Sequence, residues 1–409
     1  MNIDNTKQFN RSRDIHVKYL DGIRGLAALY VMLNHGSIMT MLLTKNGTDL
    51  SKRPASILHF IHFYILNYGT YAVAIFIVLS GYLLMLPVVR DPDMKLKGGL
   101  KGFFFRRARR ILPPYYAAMF LCLLLIMNLQ SFGIDRSQMA WAKLVTGSLS
   151  FGCVVSHLFM FYDFTRWYTA IDPPMWSVVI EWQIYFLFGL VLLPFLKRFK
   201  PILTIAFVVA VFIVPVLLGN NIWGNVHSWF VFLFLVGMLG ACVNFSKEPI
   251  YITLRHCGIW LYGAIFFLLS TLAVTLVADK LRINLIGGTL LPETLTGLAV
   301  VCFIIHSTNS MINGYLSPNV IVKFLQTPLV DNLGAFSYSL YLIHDPVLEI
   351  VYYILKVSHM SGLMRWVLFA GAGFPLAICI AYLFHLLFEK PFLHNLNTKQ
   401  PRQEVILQV

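Results

Sequence analysis

Arg24 and His35 lie eleven residues apart in the apolar stretch 19–36, YLDGIRGLAALYVMLNHG. On a helix, eleven steps of about 100° return to within roughly 20° of the start, so the two side chains share one face about 16 Å apart along the axis. A guanidinium fork matches a phosphate, and an imidazole can take or give a proton near neutral pH. The apolar run continues to Leu43, long enough to span a bilayer. Arg24 then sits near one membrane surface and His35 within the membrane, where an ionisable group is costly and marks a functional site by default. The plainer alternative is a neutral histidine hydrogen-bonded inside a helix bundle.

Other residues of the same kind follow. Glu181 stands about six residues into the apolar segment PPMWSVVIEWQIYFLFGL, roughly 9 Å deep, and His35 about 12 Å below the outer end of its own helix. At comparable depths the two can form a base and its orienting partner, or a structural pair joining two helices. Arg106, Arg107, Arg109 and Arg110 occupy four of five positions in FFFRRARRILPPYY. They cover most of a helical circumference, so at least one faces inward, either as a phosphate clamp or as an anchor at anionic headgroups. Ser80 and Gly81, central in FIVLSGYLL, admit the close approach of a neighbouring helix or a ligand. His344 and Asp345 precede Pro346 near the middle of another apolar run, as functional groups or as a polar kink.

The elements that position these residues follow from composition. The chain has 409 residues, 58% hydrophobic and 12% charged, with mean hydropathy +0.72. A soluble domain is about half apolar and a quarter charged, so this is a polytopic, all-α membrane protein. The net charge of +14 reflects basic residues in alternate loops rather than a nucleic-acid partner. Six cysteines are scattered without a CxxC pair, which indicates neither a disulfide framework nor a zinc site.

The apolar pattern predicts about ten transmembrane helices, near 20–43, 68–89, 111–129, 175–196, 201–218, 227–244, 257–278, 285–306, 335–355 and 363–388. Basic residues in 1–18, 90–110 and 197–200, and Lys390, Lys399 and Arg402, place those segments and both termini in the cytoplasm. Two crossings between 130 and 196 would put Lys197, Arg198 and Lys200 outside, so 130–174 reads as an external loop that dips or lies on the surface. The domains are a polar arm over 1–16, a membrane domain over 17–392 and a tail over 393–409. No cleavable leader is expected.

The sequence resembles the acyltransferase-3 family of integral membrane O-acyltransferases, the O-antigen acetylase type. The resemblance rests on LDGIRGLAALYVMLNH with Arg24 and His35, FIVLSGY, RRARRILPPY, WSVVIEWQIY and FSYSLYLIH, five motifs in order over about 17–392. It implies acyl transfer from cytoplasmic acyl-CoA, usually acetyl-CoA, to a hydroxyl of a carbohydrate or lipid-linked glycan. It implies His35 and Glu181 as catalytic residues and Arg24, Arg106, Arg107, Arg109 and Arg110 at the donor. Asp21, Ser80, Gly81, Tyr82, Trp176, Ser177, Tyr338 and His344 fall to the pocket or its supports. Acyl-CoA enters as a co-substrate, and no tightly bound cofactor and no metal is expected. The setting is a bacterial inner membrane.

Within that reading His35 takes the acceptor proton as the oxygen attacks the thioester, or is itself acylated and carries the group. Some relatives have an extracytoplasmic esterase-like domain after the membrane domain. Fewer than twenty residues follow Pro391 here, so transfer is expected to be direct or to a separate protein. A proton-coupled transporter or flippase of a lipid-linked sugar would also use His35, Glu181, His344 and Asp345. It would show an inverted repeat, which is not visible, and have little use for the arginine cluster. A scaffold would leave the buried ionisable groups unexplained.

Overall fold

In the computed structural model, residues 18–45, 65–128, 139–140, 150–165, 167, 170–219, 226–281, 289–313 and 320–393 are described. The expected arm over 1–16, the tail beyond 393 and most of the loops at 46–64 and 129–149 lie outside them. Every regular element among the described residues is helical. The first three are α1 (Lys18–Lys45), α2 (Gly69–Arg90) and α3 (Gly99–Asn128). The short α4 (Phe151–Leu158) precedes α5 (Pro173–Arg198) and α6 (Pro201–Leu217). Next come α7 (Phe230–Phe245), α8 (Pro249–His256), α9 (Trp260–Leu281) and α10 (Leu290–Asn313). Short α11 (Val320–Leu325) and α12 (Pro328–Ala335) lead to α13 (Ser337–Val357) and α14 (Gly362–Leu393).

Each of the ten expected segments holds a helix among the described residues, and 285–288 of the eighth lie outside them. Among the described residues seven helices, α1, α2, α3, α5, α9, α10 and α14, are long and apolar enough to cross a bilayer. An eighth span results if α7 and α8, bent by 87°, are taken together. The chain is thus a multi-pass membrane protein. α13 is outside the apolar set because it carries His344, Asp345 and Glu349, all buried. Between α3 and α5 the described residues hold only α4 and the turn Tyr162–Phe164, in keeping with a stretch that does not cross.

Two boundaries differ from expectation. α3 begins at Gly99, so the arginines read as the end of a loop lie on its third and fourth turns. Lysine and arginine are good helix formers, and charge density alone does not end a helix. The helix expected to end near residue 306 continues to Asn313, with Ser307, Thr308 and Asn309 buried against its neighbours.

Apolar burial cannot drive helix association in lipid, so close backbone approach and polar contacts hold the bundle. α2 and α7 cross where a side chain on Gly81 would overlap the Phe234 carbonyl, and one on Gly237 the Val78 carbonyl. Gly81 is therefore a packing residue. α1 is the hub. It touches α2, α12, α13 and α14, and its Gly22 and Gly25 lie against the backbone of Leu325 and Gly334. A buried network ties α1, α2, α7 and α10: Tyr19 Oη to Thr308 at 2.7 Å, Tyr82 Oη to Asn244 at 2.8 Å, and Asn244 to Asn309 at 2.6 Å. Tyr82 belongs to this support.

Among the described residues one-turn π segments interrupt the helices at Phe188–Leu192, Val209–Ile213, Phe369–Gly373 and His385–Glu389. Each ends two residues before a proline: Pro194, Pro215, Pro375 and Pro391. Proline has no N–H and its ring crowds the carbonyl four residues back, which the wider turn relieves.

Candidate active site

Two polar centres lie along α1. The first is a cavity of about 390 Å³ at the end where α1 begins, lined by Asp21 and Arg24 of α1, Ser80 and Arg90 of α2, Arg107 and Arg110 of α3, Glu181 and Tyr185 of α5, and Tyr338 of α13. Arg107 and Arg110, three apart, project from one face of α3. Arg107 lies over the Tyr185 ring at 5.8 Å and Arg90 over the Phe245 ring at 4.4 Å. Arg24 and Asp21 form an ion pair at 3.8 Å. Tyr338 Oη donates to the Ile111 carbonyl at 3.0 Å, pinning α13 to α3. Arg106 turns away and donates to the Lys97 carbonyl at 2.6 Å, and Arg109 is not part of the lining. Of the four clustered arginines, two face inward. Arg90 joins them from α2, a contribution its position among loop residues concealed.

The second centre is His35 of α1 with His344 and Asp345 of α13. His35 Nδ1 is 2.9 Å from His344 Nε2 and 3.6 Å from Asp345 Oδ1. The imidazole centroids are 5.1 Å apart with 25° between the rings. Their nitrogens are far closer than their centroids, so the rings meet edge to edge along a hydrogen bond. His344 Nδ1 lies 3.0 Å and 2.9 Å from the carbonyls of Leu340 and Tyr341. Carbonyls only accept, so that nitrogen carries the proton and Nε2 of the neutral ring is an acceptor. His35 then donates from Nδ1, and its Nε2 keeps a lone pair. This is the tautomer a general base needs. The three ligand-type atoms lie within 4.8 Å of one another. The in-line approach of the two nitrogens is that of a shared proton rather than of ligands converging on an ion.

Glu181 keeps other company. Ser80 donates to its Oε1, as does Tyr185 at 2.5 Å. The expected depth assumed that the outer ends of α1 and α5 are level, and they are not. Gly69, the start of α2, lies against Asn34. Ser80, eleven residues on, is therefore about 16 Å from that level, beside Arg24. Glu181 thus belongs to the arginine cavity, while His344 and Asp345 stand where an orienting partner for His35 was expected.

The remaining motif residues brace the walls. Tyr341 Oη donates to the Pro174 carbonyl at 2.9 Å, so Ser177, 2.6 Å away, donates to Tyr341. Trp176 stacks on His227 with centroids 4.4 Å apart. Two further buried carboxyls were not singled out from the sequence: Asp172, just before α5, and Glu349, one turn beyond Asp345. Both are buried. The Asp345–Glu349 spacing within an apolar helix was the available signal.

Residues 17–386 match the family model for the acyltransferase domain, Acyl_transf_3, and the chain belongs to that family of acyltransferases. It is similar to the O-acetyltransferase OatA of Staphylococcus aureus strain NCTC 8325, 27% identical over 85% of this chain and 54% of that protein. A protein of S. aureus strain COL with a provisional O-acetyltransferase name is 23% identical over 86% of this chain and 54% of its own. The chain thus spans about half the length of these curated relatives. No solved structure matches.

Proposed function

We propose that this protein is a membrane O-acetyltransferase that takes an acetyl group from cytoplasmic acetyl-CoA and passes it to a hydroxyl of a carbohydrate or lipid-linked glycan. The observation that carries the reading is the spacing of the two centres. The four arginines that line the cavity, Arg24, Arg90, Arg107 and Arg110, are suited to the phosphates of a nucleotide. The His35 centre lies about 16 Å further along α1, and about 9 Å from Tyr338 along α13, the reach of an extended pantetheine arm. At the far end His35 Nε2 accepts the hydroxyl proton while the oxygen attacks the thioester carbonyl. Collapse of the tetrahedral adduct releases the CoA thiolate, which takes the proton from His35. The products are the ester and CoA–SH. Asp345 stabilises the transient imidazolium.

In this reading α1, α2, α3, α5, α6, α7, α9, α10, α13 and α14 cross a bacterial inner membrane. The arginine end and both termini face the cytoplasm, as the basic residues in Arg90–Arg110 and at Lys197 and Arg198 favour. Glu181 organises the arginines rather than the base.

The test is a proteoliposome assay of CoA release from acetyl-CoA over a glycan panel. His35→Ala is expected to lower kcat by about 10²–10⁴-fold with little change in the KM for acetyl-CoA. Arg107→Ala is expected to raise that KM about tenfold or more, since a charge-assisted contact is worth roughly 1.5–3 kcal/mol. Undiminished turnover in His35→Ala would overturn the base assignment. Absence of acetyl-CoA binding and turnover in the wild type would overturn the donor.

A further inference from the structure

The arginine cavity stops at one level on four helices. Its lining reaches Arg24 on α1, Ser80 on α2, Glu181 on α5 and Tyr338 on α13, and takes in no residue of these helices further toward His35. One turn on stand Ala28, Phe76, Ser177 and Tyr341. A step of three or four residues keeps a helix face, so these four side chains form the next layer beyond the cavity. α1 and α13 run toward the His35 level and α2 and α5 run away from it, so the step is forward on the first pair and backward on the second.

The layer is knit together through Tyr341. Its ring meets the Phe76 ring edge to face, with centroids 5.9 Å apart and 76° between the planes. Ser177 donates to Tyr341 Oη at 2.6 Å, and Tyr341 Oη donates to the Pro174 carbonyl at 2.9 Å. Ala28, Ser177 and Tyr341 are buried, as are Val31 and Met32 on the following turn of α1. The base centre begins directly beyond, where His344 Nδ1 bonds the Tyr341 carbonyl at 2.9 Å. Tyr341 thus ties α13 to α2 and α5 between the two polar centres.

We propose that this layer is the passage through which the pantetheine arm of the donor reaches His35, with Tyr341 as its moving part and Ala28 as the small residue that leaves the arm room. This rests on the reading of the two centres as donor site and base. Both are positioning residues, since neither touches the reacting atoms. The arm carries amide N–H and C=O groups. The bonds that Ser177, Tyr341 and the Pro174 carbonyl make to one another are exchanged for bonds to the arm, at small net cost. With no donor present the layer stays shut. Its aromatic and aliphatic surfaces give water little to bind, and a continuous file of water from the arginine cavity to His35 would open a proton path along the bundle.

Proteoliposomes test the seal without any turnover. With an imposed pH gradient and no CoA, Tyr341→Ala is expected to dissipate the gradient at least about tenfold faster than wild type, while Tyr341→Phe, which keeps the ring, holds it. Ala28→Leu fills the passage instead of opening it. That variant is expected to hold the gradient and to bind ADP, which has the diphosphate but no arm, while losing on the order of 10²-fold in kcat. ADP binding counts the folded protein in every preparation. The proposal is overturned if vesicles holding folded Tyr341→Ala are as tight as wild type, or if Ala28→Leu turns over acetyl-CoA at the wild-type rate. A wild type without any turnover would instead sink the transferase reading, and the gradient measurement would still decide whether the layer is a seal.

Discussion

His344 gives His35 its direction. One imidazole nitrogen of His344 is spent on the Leu340 and Tyr341 carbonyls, and the other takes the Nδ1 proton of His35. Losing that acceptor frees the His35 ring to adopt the wrong tautomer. His344→Ala is therefore expected to lower kcat on the order of 10²-fold while leaving the KM for acetyl-CoA within about twofold. His344→Gln, whose amide oxygen still accepts, should recover part of the loss, and equal damage in both variants would count against a tautomer role. At this scale the sequence was partly legible. The periodicity of α1 put Arg24 and His35 on one face, and a buried His344 before Pro346 was visible as an oddity. Glu181 was placed in the right helix at the wrong level. Depth counted from a helix end is only as good as the assumption that ends align, and α1 overshoots the start of α2 by about a dozen residues.

Helices here meet through glycine, and the α2–α7 crossing is the tightest test of that. Any side chain at Gly237 must push the Val78 backbone away. Gly237→Val is expected to cost more than about 1–3 kcal/mol, read as a lower thermal midpoint and a poorer yield of monodisperse protein in detergent. Gly371, whose added Cβ would meet nothing within 4 Å, supplies the control, and Gly371→Ala should shift stability by less than about 0.5 kcal/mol. Equal effects at the two positions would show that the crossing is not what the glycines serve. Element existence was readable from apolar runs, since ten long segments leave little ambiguity. The π segments were not readable from proline alone, because Pro87, Pro113, Pro114 and Pro346 lie inside helices with no π turn before them. The start of α3 was hidden because arginine density marks a membrane boundary and a helix equally well.

For the whole molecule, the consequence of the proposed route is sidedness. Arginines gather at one end, and His35 lies with the buried His344 and Asp345 toward the other. Proteoliposomes sorted by orientation should consume acetyl-CoA only when it is supplied to the face bearing the Arg90–Arg110 segment. The ester product should be recovered only with acceptor on the opposite face. Equal turnover from both faces would exclude a donor route through the arginine cavity.

The enclosure of α13 has a consequence for how the protein is made. Membrane insertion admits a segment largely on its own apolarity, and an aspartate at the centre of a helix adds roughly 2.5–3.5 kcal/mol against entry. α13 carries Asp345 and Glu349, packs on α1 and α14, and crosses in the ten-span topology proposed above. It therefore enters the bilayer as a dependent segment, drawn in by α1, made long before, and by α14, made just after. His35 is inserted at the beginning of synthesis and waits for almost the whole chain before His344 and Asp345 arrive beside it. Ribosomes stalled after α13 but before α14 should yield a chain whose α13 remains accessible to a water-soluble thiol label at an introduced cysteine. In that topology the His35–His344–Asp345 centre is the last part of the molecule to be assembled, and a chain released before α14 is expected to be inactive.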